Sequence, residues 1–393
     1  MDPFDLNLRH LRAIPLIVRR GSMSAAADAA NLSQPALTQG LAKIERQLGV
    51  LLFDRRPDGM TATEEGIVVA ERVEAAFAHL AAGARSGGRG FARPEHLMTA
   101  TQLRAFLALA DAGSFVEAAR ATGWSQPALH RAVRDLEQLG ALALAERRGR
   151  GVVLTAEGRR LARGVRLAAS ELSAAIVETR PDNRAVGRIV VGAMPLSRAL
   201  LLPAAIAALV REAPGATFDV VEGSWRELVE PLRDGVIDLM IGALRQDPAP
   251  LGLDQDALFD DRLAVVARAG HPLAGNAAPT LDDLARYPWI VGSADTPLRT
   301  HWDALFAGTT PPAAPIECGS VMTIRGILLD SDCLTLLSPD QIAMEVETGL
   351  LTMIGRPRAD MVRTIGITMR AGWRPTALQA RFIALLHEAR ARA

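Results

Sequence analysis

Residues 22–49 read SMSAAADAANLSQPALTQGLAKIERQLG, and residues 114–141 read SFVEAARATGWSQPALHRAVRDLEQLGA. The second stretch repeats the first at an offset of 92 residues, and the likeness runs without a gap from 11–66 to 103–158, with more than a third of the 56 aligned positions identical. Such self-similarity marks a duplicated structural unit. Both copies keep Leu-Arg-Ala at 11–13 and 103–105, Gly-Ser at 21–22 and 113–114, Ser-Gln-Pro-Ala-Leu at 33–37 and 125–129, an arginine pair at 55–56 and 147–148, and Glu-Gly at 65–66 and 157–158. Whatever one copy does, the other is built to do.

Within a copy, Gly21 breaks the chain and Ser22 can cap a short Ala-rich helix; Asn31-Leu32 turn it, and Ser33 caps a second helix that tolerates Pro35 in its first turn. Short helix, tight turn and capped helix make a helix-turn-helix. In the second helix Leu37, Leu41, Ile44 and Leu48 fall on one face, which leaves Pro35, Thr38, Gln39, Ala42 and Arg46 outward. In the second copy Leu129, Val133 and Leu136 are the inward set, and His130, Arg131, Arg134 and Gln138 point out. A helix about 10–12 Å across fits a major groove about 12 Å wide, where Gln and Arg can read base edges bidentately. Any amphipathic helix has a polar face; its recurrence with Ser-Gln-Pro-Ala-Leu in both copies is what singles these out. The expected DNA contacts are Ser33, Gln34, Pro35, Thr38 and Gln39 in the first copy, and Ser125, Gln126, Pro127, His130, Arg131 and Arg134 in the second. After each second helix, a strand-like segment, an arginine pair and a further extended run predict a two-stranded wing, with Arg55, Arg56, Arg147 and Arg148 placed for phosphates, which set register rather than sequence.

Beyond Gly158, Leu161, Val165, Ala168, Leu172 and Ala175 recur at the 4-3-4-3 spacing of a two-helix seam and are expected to hold two chains together. Val69, Val73, Ala76 and Leu80 repeat that spacing after Gly66, and this shorter helix pairs either with a symmetry mate or with its own subunit. Residues 83–93, GARSGGRGFAR, have the composition of a flexible linker.

From Gly187 the pattern changes. Strand-like RIVVG, TFDVVE and IDLMIG alternate with helical stretches, then RLAVVAR, PWIVG, PIECG, CLTLLS and VRTIGITMR follow. The alternation predicts parallel sheets with helices on both faces. Two small α/β lobes fit the count, lobe I over about 187–266 and 361–393 and lobe II over about 267–360. Small ligands in such folds lie at the carboxyl ends of strands, near helix N-termini whose amides favour anions. The expected lining is Met194, Leu196, Ser197 and Arg198, then Arg245, Thr296 and Arg299, then Ser320, Val321 and Met322. Arg245 and Arg299 either clamp a carboxylate or serve in salt bridges. His271, before Pro272, reads as a turn residue.

The chain of 393 residues balances 44 basic against 44 acidic side chains, and 49% of it is hydrophobic, enough for two or three packed cores. The charge is uneven: residues 1–183 carry 24 basic and 20 acidic groups, and the remainder the converse. No cationic stretch with an apolar core opens MDPFDLNLRH, and the longest apolar run, Ala199 to Val210, is about half a membrane span, so the expected location is the cytoplasm, away from membranes. Cys318 and Cys333 are too few for a disulfide framework. GxSxG, GxxxxGK[ST], CxxC, HExxH and a post-strand GxGxxG are all missing from the sequence, which argues against an enzyme and against a metal or cofactor.

The run Ala26-Ala27, Leu32-Ser33-Gln34-Pro35-Ala36-Leu37-Thr38, Ile44-Glu45, Leu48-Gly49 and Leu52-Phe53-Asp54-Arg55 resembles the DNA-binding head of LysR-type transcriptional regulators. The second copy departs from it with Gly123-Trp124 for Asn31-Leu32, Ala145 for Phe53, and Arg131 and Arg134 for Gln39 and Ala42, so its sequence preference is expected to differ. Residues 187–192 (GRIVVG), Asp238-Leu239, 270–274 (GHPLA) and Ser320 before a helix are similar to the effector-binding domain of the same family, and Ile241–Arg245 and Thr296–Arg299 to the subgroup of galactose-binding-protein and protocatechuate-pathway regulators. The resemblance implies an α/β protein overall: winged helix-turn-helix units at 1–66 and 98–158, a connector helix and linker at 67–97, a coiled-coil helix at 159–183, and a two-lobed periplasmic-binding-protein-like effector domain at 184–393. It implies double-stranded DNA, a small-molecule inducer (an organic acid, or second a sugar), a homodimer or homotetramer, and RNA polymerase as partners, with control of a catabolic operon. The rival is an architectural nucleic-acid protein without ligand response.

Overall fold

The computed structural model describes residues 1–56, 59–86, 89–90, 94–149, 151–180, 185–194, 201–245, 250–294, 296–357 and 360–390. Side chains at 55, 56, 86, 89, 90, 95 and 390 are also outside the description. The chain divides into two compact units, 1–187 with 234–236, and 188–233 with 237–393.

In the first unit the duplication is structural. Copy one runs α1 (Leu8–Leu11), α2 (Ala13–Arg20), α3 (Met23–Ala29), α4 (Gln34–Leu48), β1 (Phe53–Arg56), β2 (Gly59–Ala62) and α5 (Glu64–Ala84). A short hairpin, β3 (Arg85–Ser86) and β4 (Arg89–Gly90), precedes copy two: α6 (Ala100–Ala112), α7 (Phe115–Thr122), α8 (Gln126–Gly140), β5 (Ala145–Arg148), β6 (Gly151–Leu154) and α9 (Ala156–Glu178). The expected caps are present. Ser22, Ser33, Ser114 and Ser125 each accept a bond from the backbone N–H three residues on, satisfying a donor that the first helical turn cannot. The turn between the two helices needs one left-handed residue, supplied by Asn31 (φ 53°) in copy one and Gly123 (φ 70°) in copy two. The C-terminus of the second helix needs another. Gly49 (φ 77°) provides it in α4, but its counterpart is Ala141 (φ 47°). Left-handed alanine costs about 1–2 kcal/mol, and glycine returns about 0.4–1 kcal/mol to the unfolded chain. Ala141→Gly is therefore expected to stabilise the protein by about 0.5–1 kcal/mol, read as a raised midpoint of thermal unfolding; a lowered midpoint would contradict the strain.

Both copies share one continuous apolar core, from Leu6 to Ile176. Its centre is the contact of α5 with α9. Leu161, Val165, Ala168, Leu172 and Ala175 are all buried, and so are Val69, Val73, Ala76 and Leu80. The seam expected to join two chains is thus filled by the chain's own α5, because the duplication supplies a second helix of matching pattern. The expected flexible linker also starts too early. Gly83 and Ala84 belong to α5, and a Cβ on Gly83 would lie 2.9 Å from the Gly164 Cα, so this glycine permits close helix approach. Residues 87–88 and 91–93 of that stretch lie outside the described residues.

The second unit holds two mixed five-stranded sheets. Its elements are β7 (Val186–Ala193), α10 (Leu201–Glu212), β8 (Gly215–Glu222), α11 (Trp225–Arg233), β9 (Leu239–Ala243), β10 (Leu253–Arg262), β11 (Ala264–Arg268), α12 (Leu281–Ala285), β12 (Trp289–Val291), α13 (Pro297–Leu305), β13 (Ile316–Glu317), α14 (Val321–Leu329), β14 (Leu334–Leu337), α15 (Ala343–Glu347), β15 (Leu351–Ile354), β16 (Val362–Arg370) and α16 (Ala377–Arg390). One sheet has the order β10-β16-β9-β7-β8 and the other β13-β12-β14-β11-β15. The expectation of parallel sheets holds for β7 with β9 and for β12 with β13 and β14. It fails for β10, β11, β15 and β16, whose pairings are antiparallel. These are the strands that carry the chain from one sheet to the other and back, so they cannot all run with the βα repeat. Helices cover both faces: Leu209, Phe382 and Leu386 back one side of the first sheet, and Leu228 and Leu232 the other. Among the described residues no helix is long and apolar enough to cross a membrane.

Candidate functional site

Two surfaces carry the candidate residues. On the heads, Ser33 and Ser125 serve as caps, while Gln34, Pro35, Gln39, Gln126, Pro127, Arg131 and Arg134 are exposed. The Thr38 hydroxyl donates back to the Gln34 carbonyl at 2.9 Å, and the His130 ring stacks on Phe115 at 3.6 Å between centroids, which leaves its edge outward. Each wing is an antiparallel hairpin with the same register, Phe53 opposite Ala62 and Ala145 opposite Leu154. Arg147 and Arg148 are exposed on β5, whereas Arg55 and Arg56 are placed on β1 with their side chains outside the described residues.

Three contacts fix wing to helix in both copies, and none is legible from spacing alone. Met60 and Val152 donate to the Gly21 and Gly113 carbonyls at 2.9 and 2.8 Å. Glu45 and Glu137 each accept from a backbone N–H, of Leu52 and Leu144, at 2.9 Å. Gly66 and Gly158 pass so near that an added Cβ would fall 2.0 and 1.9 Å from the Leu52 and Leu144 carbonyl oxygens. The retained glycines Gly21 and Gly113, Gly66 and Gly158, and the shared Glu45 and Glu137 thus serve as braces of the wing.

The second surface is a cavity of about 900 Å³ within the second unit, at the large end of the size of small-molecule sites. Met194, Arg245, Thr296, Ser320, Val321 and Met322 are among the residues that line it. The N-termini of α11, α13 and α14 converge on it. Thr296 caps α13 by accepting from Arg299 N at 3.3 Å, and Ser320 caps α14 by accepting from Thr323 N at 3.4 Å. Glu227 accepts from Ser224 at the head of α11, which holds its carboxyl below the ordinary range. The backbone of Arg245 is gripped by the Gln255 amide at 2.9 and 2.7 Å, and its guanidinium lies 5.5 Å from the centre of the Trp225 ring.

Arg299 is not in the cavity wall. Its guanidinium bonds Asp303 one turn on at 3.0 Å and covers Trp302, so the salt-bridge reading holds for it and the carboxylate clamp does not. Leu196, Ser197 and Arg198 lie outside the described residues. The wall also contains Trp225, Arg226, Cys318, Arg325 and Arg363, which sequence reasoning missed. Arg325 pairs with Glu345 at 3.0 Å, and buried Arg363 bonds Asp261 at 2.8 and 2.6 Å across the two crossing strands. Burial and the nearby Asp261 raise the Asp340 carboxyl. His271 is a turn residue, its Nδ1 accepting from Leu273 N at 3.0 Å; burial lowers its pKa.

The LysR substrate binding domain model matches residues 182–391, and the bacterial regulatory helix-turn-helix protein, lysR family, model matches twice, at 8–67 and 100–159. The chain belongs to the LysR family. It is a DNA-binding transcriptional regulator with an effector-binding domain, and the family is one of regulators rather than enzymes. Among curated relatives of this LysR-family chain, the HTH-type transcriptional regulator GalR of Pseudomonas putida is 30% identical over 369 residues, 93% of each chain, a span too long to leave out either head. The HTH-type transcriptional regulator PcaQ of Agrobacterium fabrum is 28% identical over 70% of this chain and 89% of its own. The structure of a full-length OxyR variant from Pseudomonas aeruginosa shares the fold, with a TM-score of 0.60 at 24% identity over 75% of this chain and 94% of that one.

Proposed function

We propose that this LysR-family regulator reads DNA with both heads and senses a small organic acid, aromatic or ring-cleaved, in the cavity of the second unit, with a sugar or sugar acid as the second class. The observation that carries the ligand class is the Arg245 guanidinium over Trp225, opposite the capped N-termini of α13 and α14, in a cavity whose other walls include Met194, Leu298 and Ile342. Cationic groups and helix N-termini suit a carboxylate, and the apolar wall suits the carbon skeleton. The residues assigned to the ligand are Met194, Arg245, Thr296, Ser320, Val321 and Met322. Residues 1–66 and 98–158 act as heads, 67–97 and 159–183 as connectors and 184–393 as sensor. Ligand binding favours one lobe geometry and, through α9, one disposition of the heads. A catabolic operon is the target that this ligand class implies. The protein works in the cytoplasm, associates into dimers or tetramers through surfaces other than the α5–α9 seam, and meets RNA polymerase at its promoter.

A thermal-shift panel of aromatic carboxylates, ring-cleaved dicarboxylates, sugars and sugar acids tests the sensor. A ligand at 100 times its Kd stabilises by about 2.7 kcal/mol, and coupling should then change operator affinity by roughly 5 to 150-fold. Equal DNA affinity with and without a stabilising compound contradicts the coupling. On the DNA side, Gln126→Ala or Arg131→Ala is expected to cost ~1–3 kcal/mol at a selected site and little on random duplex. Equal loss on both would make these residues phosphate contacts.

A further inference from the structure

The α5–α9 contact has the geometry of a two-fold pair closed inside one chain. Gly83 meets Gly164, while Arg72 meets Glu171 and Glu178, so the helices run antiparallel. Subtracting the 92-residue offset turns Gly164 into position 72, so position 72 of each copy lies toward the 83 end of the other. The N-terminal arms obey the same operation. The turn Pro3–Asp5 packs on α6 and α9 of copy two, and the turn Pro94–His96, one residue off the 92-residue register, packs on α1 and α5 of copy one.

The pair is also unequal. Arg72 is buried, donating to Glu171 at 2.8 Å and to Glu178 at 2.9 and 2.5 Å. The equivalents of Arg72, Glu171 and Glu178 in the other copy are Gly164, His79 and Ser86. Were α9 to pair with the α9 of a second chain in this geometry, Glu171 and Glu178 would face Gly164 without a cation. Were α5 to pair with another α5, Arg72 would face His79, and neither sequence equivalent of Glu171 and Glu178 is a carboxylate. Buried charge left without its opposite disfavours both arrangements, and only the heterologous pair satisfies all three groups. We propose that one chain forms a complete DNA-reading pair of heads, locked in cis by Arg72, Glu171 and Glu178, and that its operator is a dyad of two unlike half-sites, one read by α4 and the other by α8. The inference rests on the reading that both heads contact bases. The outward residues fit unlike half-sites, since Gln39 and Ala42 of α4 correspond to Arg131 and Arg134 of α8.

Charge exchange tests the lock on the full chain. Arg72→Glu alone, and Glu171→Arg with Glu178→Arg alone, are each expected to lower the unfolding midpoint by roughly 5 °C or more. All three changes in one chain should recover most of that loss, and an equimolar co-expressed mixture of the two partial variants should not. Recovery in the mixture would show pairing between chains, and no recovery in the triple variant would show that these groups do not set the pairing; either overturns the proposal. If the partial variants fail to fold, spin labels at Leu51→Cys and Val116→Cys, with Cys318 and Cys333 changed to Ser, give a second reading. A narrow distance that survives tenfold dilution with unlabelled protein supports the cis pair, and a broad or diluted-out signal overturns it. For the operator, a duplex selected from a random library should bind on the order of tenfold more tightly than either palindrome made from one of its halves. Equal affinity for a palindrome overturns the unlike half-sites, whereas an intact pair without sequence preference would overturn the base-reading itself.

Discussion

Arg72→Ala is expected to destabilise the paired heads by about 3 kcal/mol or more, in the range seen when one partner of a buried ion pair is removed. Arg72 is only 2% exposed in its side chain, and its carboxylate partners are 11% and 16% exposed, which places the cost at the lower end of that range. Burial works against the cation, but the bonds to Glu178 and Glu171 outweigh it and raise the Arg72 pKa. Alanine leaves both carboxylates facing a dry seam and also removes the long aliphatic stem that fills it. The triple change Arg72→Met, Glu171→Leu and Glu178→Leu should instead lie near the parent stability, because it removes the desolvated charges together. Equilibrium urea unfolding followed by circular dichroism measures both; a loss below about 1 kcal/mol for Arg72→Ala, typical of an exposed pair, would contradict the buried lock.

Gly158→Ala is expected to be nearly as damaging, and its consequence falls on DNA binding. The added Cβ would sit 1.9 Å from the Leu144 carbonyl oxygen and 2.9 Å from its carbon, and a backbone group cannot turn aside as a flexible side chain can. That oxygen also accepts from Thr155 N at 3.0 Å, while the Thr155 hydroxyl donates to Ala143 O at 2.8 Å. The whole entry into α9 must shift, at a cost of about 3 kcal/mol, the upper end for overpacking. The wing moves with it, so operator affinity should fall by at least tenfold at a temperature where the protein remains folded. Gly66→Ala, against the Leu52 oxygen at 2.0 Å, should behave alike in copy one. Parent-like stability and affinity for Gly158→Ala would mean that the Leu144 contact is not close.

Local chemistry made much of this architecture legible. Caps at Ser22, Ser33, Ser114 and Ser125, the left-handed turn residues, and the apolar faces of α4, α8 and α9 are all written within a few residues of where they act. Partners far away in sequence were not. Nothing local tells that the Leu161–Ala175 seam meets α5 rather than another α9, since that choice depends on Arg72 finding carboxylates about a hundred residues on. Gly40 reads as an outlier in an otherwise good helix, yet it is buried because the His10 ring lies where its Cβ would be, at 2.5 Å. Strand β10 was missed because LDQDALFDDR carries four aspartates. The strand exists because β16 supplies its ladder, and Asp261 and Asp256 are held by Arg363 and His387. In the cavity, Ser320 could be found as the residue before a helix, whereas Arg363 reaches the wall through the pairing of β16 with the distant β10.

The most direct measurement is a hydroxyl-radical footprint of the intact chain on a duplex selected from a random library, repeated with Gln34→Ala/Gln39→Ala and with Gln126→Ala/Arg131→Ala. Two heads that both read bases predict two protected half-sites, each double change erasing protection on its own half while weakening overall affinity by tenfold or more. A footprint that either double variant leaves unchanged would contradict the account, because one of the two heads would then not be reading DNA.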